Sequence, residues 1–222
     1  MKIAVIYASK YGATRRYAEW IAERLGATLL ERTAVKPAQL DEYDLVVYGG
    51  GLYAGGIAGV DLVTKHPCKR LVLFTVGLGT PATSDYAGIL EKNLPQAMRE
   101  STPVFHLHGG IDYGRLSTVH RAMMGVMKRI ISKKPESERS ADDRELLATY
   151  GGAVDFTDPA NIEPLAEYVE SLSRKLFHRM PGGIRKAHGT PVVFADEIAQ
   201  LADAAAVVDH NGDAHVIACF YR

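Results

Sequence analysis

Short apolar runs alternate with amphipathic segments along the first 110 residues of the chain. Continuous apolar runs of this length are typical of strands that are buried on both faces of a parallel sheet. The alternation predicts right-handed crossovers and a three-layer α/β fold, with helices on both faces of the sheet. The predicted strands are Ile3–Tyr7, Ala27–Glu31, Asp44–Tyr48, Leu71–Val76 and Val104–Leu107, and predicted helices include Ile57–Lys65, Ser84–Asn93 and Ile162–His178.

A polar turn joins the first strand to an amphipathic helix. The first N–H groups of a helix have no intrahelical partner, and the helix dipole adds partial positive charge there, so this position favours an anion. Gly12 lets the backbone approach a phosphate closely, while Ser9 and Thr14 add hydroxyl donors. The turn is neither Gly-x-Gly-x-x-Gly nor a triphosphate loop. The sequence predicts a phosphate site formed by Ser9, Lys10, Tyr11, Gly12, Ala13 and Thr14.

Glycine-rich segments follow the third, fourth and fifth predicted strands, at residues 49–56, 77–81 and 109–110. In open α/β sheets ligands bind beyond the carboxyl ends of the strands, where these segments meet. Tyr53 is the best candidate to stack on a flat ring, with Leu52 or Leu78 against the other face and Tyr86 as a weaker alternative. The residues predicted to hold the ring are Gly51, Leu52, Tyr53, Ala54, Val76, Gly77, Leu78, Gly79 and Tyr86.

Eight positions around the first turn match the signature of the flavodoxin family: Val5, Ile6, Tyr7, Ser9, Gly12, Thr14, Ala18 and Ile21. The chain resembles flavodoxin-like proteins over about the first 110 residues and again near 157–176. This resemblance implies a flavodoxin-like fold, with a five-stranded parallel sheet of order 2-1-3-4-5. It also implies FMN as the cofactor, bound where the strand order reverses.

An insertion of about residues 111–156 interrupts this resemblance. Its segment 116–134 is predicted to be helical, with an apolar stripe flanked by basic residues. Two interpretations are open: the stripe packs back on the protein, which we favour, or the segment contacts a membrane surface or a partner. The polar tract 133–144 is predicted to be a mobile loop. The stripe consists of Val119, Met123, Val126, Met127 and Ile130.

The insertion makes the layout similar to the menaquinone-dependent protoporphyrinogen dehydrogenase branch of flavodoxin-like proteins. Segments 109–113 and 157–158 are similar to that branch. The resemblance implies an FMN-dependent oxidoreductase that passes hydride or electrons between the flavin and a small organic substrate or quinone, with protoporphyrinogen oxidation as the named possibility. The alternative is a non-catalytic electron-transfer flavodoxin that serves a protein partner.

Composition bears on the choice between these functions and on the cellular location. The 222 residues include 26 basic and 26 acidic ones, so no net field attracts nucleic acid. Flavodoxin electron carriers are strongly acidic as a family, and this balance weighs against that role. Cys68 and Cys219 do not make a disulfide framework. With no leader segment and no apolar run of about 20 residues, a cytoplasmic protein is predicted, peripheral to the inner face of the membrane if segment 116–134 contacts lipid.

We predict a flavodoxin-like domain at 1–178 and a C-terminal extension at 179–222. Within the extension, 181–183 suggests a linker, 191–194 a strand, 196–205 a helix, and 206–208 with 215–220 a hairpin around Asn211-Gly212. The hairpin would serve as a lid, a clasp for a homodimer or an accessory module.

No metal site and no catalytic side chain are assigned from the sequence. His106 and His108 share a strand face but lack a third ligand, and His210, Asp213 and His215 are similarly weak as a site. Asp112 and Tyr113 follow the fifth strand, where they would donate protons or bind substrate. Capping and packing roles for these two residues are favoured. Asn161 is the predicted N-cap of the last helix, because Pro164 would interrupt a helix that began earlier.

Overall fold

The computed structural model describes residues 1–82, 84–178, 206–208 and 214–216. The chain divides into two compact units, residues 1–166 and 167–222. In the second unit, strands Ala206–Val208 and Ala214–Val216 pair antiparallel. The predicted linker at 181–183, strand at 191–194, helix at 196–205 and turn at 209–213 lie outside the described residues, as do His210, Asp213 and Cys219.

The sheet of the first unit contains the strands β1 (Ile3–Ala8), β2 (Thr28–Glu31), β3 (Leu45–Tyr53), β4 (Gly56–Ile57), β5 (Leu71–Gly77) and β6 (Val104–His108). Five of these strands are parallel, in the order β2-β1-β3-β5-β6. A short strand, β4, folds back antiparallel on the end of β3. Numbered among the parallel strands alone, the order is 2-1-3-4-5, so the predicted topology is confirmed.

Helices connect these strands and form the insertion. Single turns of 3₁₀-helix lie at Arg32–Ala34, Tyr113–Arg115, Glu136–Glu138 and Pro159–Ile162, and a longer one at Pro37–Glu42. The α-helices are α1 (Ala13–Leu25), α2 (Asp61–Lys65), α3 (Ala87–Asn93), α4 (Gln96–Ser101), α5 (Thr118–Lys133), α6 (Ala141–Thr149) and α7 (Glu163–His178). Among the described residues, none of these helices is long and apolar enough to cross a membrane.

The central strands are buried on both faces, as the continuous apolar runs predicted. Ile6, Val46 and Leu73 belong to one core cluster, whereas their neighbours Val5 and Val47, also fully buried, point to the opposite face. Helices therefore cover both sides of the sheet, and the carboxyl ends of the strands are the edge at which loops can form a site.

The glycine run after the third predicted strand is not a loop. Strand β3 continues through it to Tyr53, which extends the predicted end at Tyr48 by five residues. Each of the three glycines makes room for a neighbour. A Cβ at Gly49 would meet the ring of Phe74 at 2.0 Å, and one at Gly50 would meet Ile57 at 2.4 Å.

Three predicted helix boundaries were wrong. The segment from Ile57 starts as strand β4, and α2 begins only at Asp61, because Gly59 adopts a φ of 64°. Helix α3 begins at Ala87 rather than Ser84. Asp158, not Asn161, caps the 3₁₀ turn before α7: its carboxylate accepts a hydrogen bond from the Ala160 N–H at 2.8 Å.

The insertion is more ordered than the sequence suggested. The predicted mobile loop at 133–144 contains a 3₁₀ turn and the start of α6. Ser140 and Asp143 form a reciprocal capping box there, with side chain to backbone distances of 3.1 and 3.2 Å. Two unpredicted strands, β7 (Gly110–Asp112) and β8 (Ala153–Asp155), pair antiparallel and bring the end of the insertion back to its beginning.

The apolar stripe of α5 does not pack back on the described part of the protein. Its five side chains are exposed, from 39% at Met123 to 66% at Val119. For the described residues, the favoured interpretation that the stripe packs back on the protein was therefore wrong. The opposite side of the same helix contacts the protein through Ile131, which is buried.

A half-buried histidine makes the stability of the fold depend on pH. Burial lowers the pKa of His106 from its ordinary 6.5 to about 4. The unfolded chain therefore binds more protons than the folded one between these values, and the free energy of unfolding falls as the pH falls from 6.5 to 4. At 1.36 kcal/mol per pKa unit the loss is roughly 3 kcal/mol.

Denaturant unfolding at several pH values checks this expectation. The variant His106→Gln, which has no titrating ring, should lose roughly 3 kcal/mol less than wild type over this range. His66→Gln is the matched control, because His66 is exposed. A pH profile of His106→Gln that parallels that of wild type would contradict the assignment.

Candidate functional site

The turn between β1 and α1 has the features of an anion site. Gly12 is the N-cap of α1 with a φ of 101°, a conformation that favours glycine. Its N–H donates to the Ser9 hydroxyl at 3.1 Å, which closes the turn. The first turn of α1 contains Arg15 and Arg16 and no acidic residue. Both guanidinium groups bond carboxylates, Arg15 that of Glu19 and Arg16 that of Asp155. The helix dipole and the free helical N–H groups are therefore what favours a phosphate here.

The end of β3 lies against this turn because residue 51 is a glycine. A Cβ at Gly51 would lie 3.1 Å from the Thr14 hydroxyl and 2.8 Å from the Tyr53 ring. Thr14 itself is buried, at 2% exposure. Glycine therefore permits β3 and the start of α1 to approach each other, which brings the predicted phosphate site next to the predicted ring site.

A cavity of about 130 Å³ opens at the carboxyl edge of the sheet. Its wall combines the turn before α1, the ends of β3, β5 and β6, and one side of α5. Nine of the residues predicted for the site line it: Tyr11, Ala13, Thr14, Leu52, Tyr53, Ala54, Val76, Gly77 and Leu78. The other lining residues are Gly109, Gly110, Ile111, Leu116, His120, Met123 and Met124.

Four of the six remaining predicted residues belong to the turn before α1 or to the end of β3. Ser9, Lys10 and Gly12 form the turn, and Gly51 lies behind Thr14 and Tyr53.

Tyr86 differs from its predicted role. Its hydroxyl donates to the Gly79 carbonyl at 2.9 Å, and its ring stacks on His106 with a centroid distance of 3.7 Å. The ring of Tyr86 thus packs in the interior, and Tyr53 is the aromatic ring of the predicted pair that lines the cavity.

Three rings cluster at the cavity wall. Tyr53 stacks with His120 at a centroid distance of 5.4 Å and meets the edge of Tyr11 at 6.0 Å. Burial raises the pKa of Tyr53, so its hydroxyl stays protonated at neutral pH. The wall therefore presents aromatic faces and neutral polar groups, which suit a planar heterocycle.

His120 joins the insertion to the phosphate turn, a role that the sequence did not reveal. Its Nδ1 lies 2.7 Å from the Tyr11 hydroxyl and its Nε2 lies 3.4 Å from Lys10 Nζ. The Ser117 N–H donates to the same Tyr11 oxygen at 3.3 Å. Lys10 can only donate, so a neutral imidazole with its proton on Nδ1 satisfies all three contacts. The sequence signal was limited to the position of His120 beside the stripe.

Asn93 is a second residue that the sequence missed. Its amide nitrogen donates to the carbonyls of Gly55 and Ile89, each at 2.7 Å, and its amide oxygen accepts from the Ile57 N–H at 3.0 Å. The turn it holds connects Tyr53 to β4 through Ala54 and Gly55, with φ values of 51° and 74°. Two positive φ angles in succession are typical of a tight hairpin turn. Asn93 therefore positions the turn that follows Tyr53.

The other candidates have structural contacts. The Asp112 carboxylate accepts from the Gly114 N–H at 2.9 Å, and Tyr113 is buried against Tyr150. The Thr75 hydroxyl lies 2.6 Å from His106 Nδ1, and His108 stacks on Phe156. In the part of the chain that the structure describes, no three His, Cys, Asp or Glu residues are placed to hold a metal ion.

The parallel sheet with its anion turn and adjoining cavity defines an open α/β protein of the nucleotide-cofactor class. A family model described as a flavodoxin domain matches residues 4–138, more than half of the chain. The chain belongs to the flavodoxin-domain family. A comparison with curated proteins gave no match.

Solved structures with a similar fold include flavodoxins and flavoproteins. A flavodoxin from the domain Archaea aligns with 49% of this chain and 83% of its own, at 20% identity and a TM-score of 0.36. A WrbA-like flavodoxin from Agrobacterium tumefaciens aligns with 75% of this chain and 98% of its own, at 20% identity and a TM-score of 0.32. A flavoprotein in complex with FMN from Lactobacillus acidophilus aligns with 48% of this chain and 91% of its own, at 16% identity and a TM-score of 0.33.

Replacing Asn93 with alanine should destabilise the protein. The change leaves the Ile57 N–H and the Gly55 carbonyl without the partner they now have, and an unsatisfied buried group costs about 1–3 kcal/mol. Denaturant unfolding measures the difference. Gln96→Ala removes a comparable amide that bonds only the exposed Glu100, and should change the free energy of unfolding by less than about 0.5 kcal/mol. Equal stability of the two variants would show that Asn93 does not hold the turn.

Proposed function

We propose that the protein is an FMN-dependent oxidoreductase that passes hydride or electrons between its flavin and a small organic substrate or quinone. The observation that carries the proposal is the meeting of an anion turn and an aromatic-walled cavity at the edge of a flavodoxin-domain sheet. FMN has a phosphate and a planar ring joined by a short chain. The phosphate matches the anion turn, and the ring matches the cavity.

The residues fit FMN. The backbone N–H groups and the hydroxyls of Ser9–Thr14 would hold the phosphate at the start of α1. Tyr53, with Leu52 or Leu78, would hold the ring. Bound FMN supplies one- or two-electron redox chemistry, while the protein supplies orientation and electrostatics. On one side of the cavity, Leu116, Met123 and Met124 add apolar surface that excludes water.

Two features favour a small substrate over a protein partner. Helix α5 contributes a wall to the cavity, so part of the ring site is enclosed by the chain's own insertion. The 26 basic and 26 acidic residues also give no net charge to steer a protein partner. The alternative is the non-catalytic electron-transfer flavodoxin. Protoporphyrinogen oxidation is the named reaction that we propose, supported by the resemblance in the placement of the insertion.

We also propose that the protein works at the inner face of a membrane, as a peripheral protein that contacts lipid through segment 116–134. The exposed stripe of α5 supports this location.

A titration with FMN, followed by absorbance and flavin fluorescence, tests the proposal. Wild type should form a tight yellow 1:1 complex. Ser9→Ala combined with Thr14→Ala should weaken FMN binding by about a hundredfold or more, because hydrogen bonds to a charged group contribute about 1.5–3 kcal/mol each. Riboflavin lacks the phosphate, so its affinity should be unaffected by the change. Thr33→Ala with Ser137→Ala is the control at exposed hydroxyls.

A wild-type protein that stays colourless at high FMN would exclude the proposal. Equal losses for FMN and riboflavin would instead place the effect outside the phosphate site.

Reductive titration separates the two candidate functions. Stepwise reduction of the FMN complex should proceed in two electrons without a stable neutral semiquinone if a substrate is oxidised. The semiquinone absorbs in the red part of the spectrum and is easily followed. Its accumulation over a wide range of potential would favour the electron carrier.

A further inference from the structure

The exposed apolar surface of the protein is concentrated on α5. Apart from Met1 and Leu29, every large hydrophobic side chain exposed in the described part of the chain belongs to the α5 stripe. Exposures of 66% at Val119, 59% at Val126 and 58% at Ile130 are high for side chains of this type. The spacing i, i+7 and i+11 places them on one face of the helix, over three turns. A contiguous patch of this kind marks an interaction surface.

The charges of α5 are all of one sign. The helix contains Arg121, Lys128, Arg129 and Lys133 and no acidic residue. Arg121 donates to the Tyr113 carbonyl at 3.2 Å, and Lys128 lies over the Tyr150 ring at 4.2 Å, so these two side chains point to the protein.

The other two cations border the stripe. Arg129 and Lys133 are exposed, and both follow a stripe residue by three positions, Val126 and Ile130 respectively. Helical geometry puts residues three apart side by side. Long basic side chains beside an apolar stripe suit an anionic interface, where the stem lies on apolar surface and the charge reaches the headgroups.

Met123 connects the stripe to the cavity. It is 39% exposed on the stripe and also lines the cavity, together with His120 and Met124 from the neighbouring face. At Met123 the stripe therefore reaches the rim of the proposed cofactor site.

We propose that the protein docks on the surface of an anionic phospholipid bilayer through the α5 stripe, with Arg129 and Lys133 at the headgroups and the cavity mouth beside the lipid. This inference rests on the peripheral membrane location proposed above and names the docking face and the lipid class. A helix of 16 residues spans about 24 Å, enough to lie in the interface plane without crossing it.

A second copy of the chain is a poorer occupant of the stripe. Two α5 helices packed stripe to stripe would bring Arg129 and Lys133 of both copies, four cations, together with no acidic residue on either helix. Like charges at close range oppose such a contact. An anionic bilayer instead satisfies the apolar and the charged part of the surface together.

Vesicle flotation with the full chain and FMN tests the docking face. Wild type should float with vesicles of phosphatidylcholine containing about 30 mol% phosphatidylglycerol, and at least tenfold less with pure phosphatidylcholine vesicles or at high salt. Arg129→Glu with Lys133→Glu should lower flotation at least tenfold. Val126→Gln with Ile130→Gln should do the same by removing the apolar contact.

Matched controls lie elsewhere on the surface. Lys36→Glu with Lys65→Glu reverses two exposed charges outside the insertion, and Leu29→Gln removes an exposed apolar side chain from β2. Both controls should float like wild type.

Separate readouts distinguish the failure of this inference from that of the proposed function. None of the four substituted α5 residues lines the cavity, so all variants should keep the wild-type affinity for FMN. Loss of lipid binding with FMN binding intact supports the docking face. Wild-type protein that binds FMN but does not float overturns it, as does flotation that the α5 variants leave unchanged. A concentration-dependent dimer in sedimentation, abolished by the same variants, would assign the stripe to a second copy and also overturn it.

Discussion

Burial of the central strands on both faces is the constraint on which the rest of the structure depends. Strands such as β1 and β3 have no polar face, so they need helices on both sides and crossover connections between parallel neighbours. Parallel strands place all their carboxyl ends at one edge. Loops at that edge lie outside the core, and both the phosphate turn and the cavity wall are located there.

The order of strand, turn and helix around Gly12 was predicted from contiguous residues and is confirmed. Strand, turn and helix around Gly12 follow one another directly, so their local chemistry is readable without knowledge of distant contacts. The strand order followed from family resemblance. The positions of Leu52, Tyr53 and Leu78 at the cavity followed from the rule that parallel strands end at the same edge.

What the sequence did not reveal depends on contacts between distant segments. Tyr86 is in the expected loop region, yet its ring packs inward, where it stacks on His106 of the next strand, β6. Asn93 bonds Ile57, which is 36 positions away in the sequence. His120 contacts Lys10, which is 110 positions away. The capping box of Ser140 and Asp143 is different, because its Ser-x-x-Asp spacing is local. The tract was nevertheless predicted to be a loop, since its residues are mostly polar.

The glycine run Gly49–Gly51 shows how one pattern can have two causes. Its first two glycines make room for Phe74 and Ile57, which is core packing within β3. The third makes room for Thr14 and Tyr53, which is part of the site. Glycine enrichment at a strand end therefore indicated the edge of the sheet where the cavity lies, although two of the three glycines make room for core packing.

The insertion gives α5 three different surroundings. One face packs on the protein through Ile131, one lines the cavity through His120 and Met124, and one is exposed along the stripe. The contacts of His120 with Tyr11 and Lys10 attach the cavity face to the phosphate turn. Because Tyr11 also accepts a hydrogen bond from the backbone just before α5, turn and helix form one hydrogen-bonded unit. The geometry of the phosphate site and the position of α5 over the cavity are therefore not independent of each other.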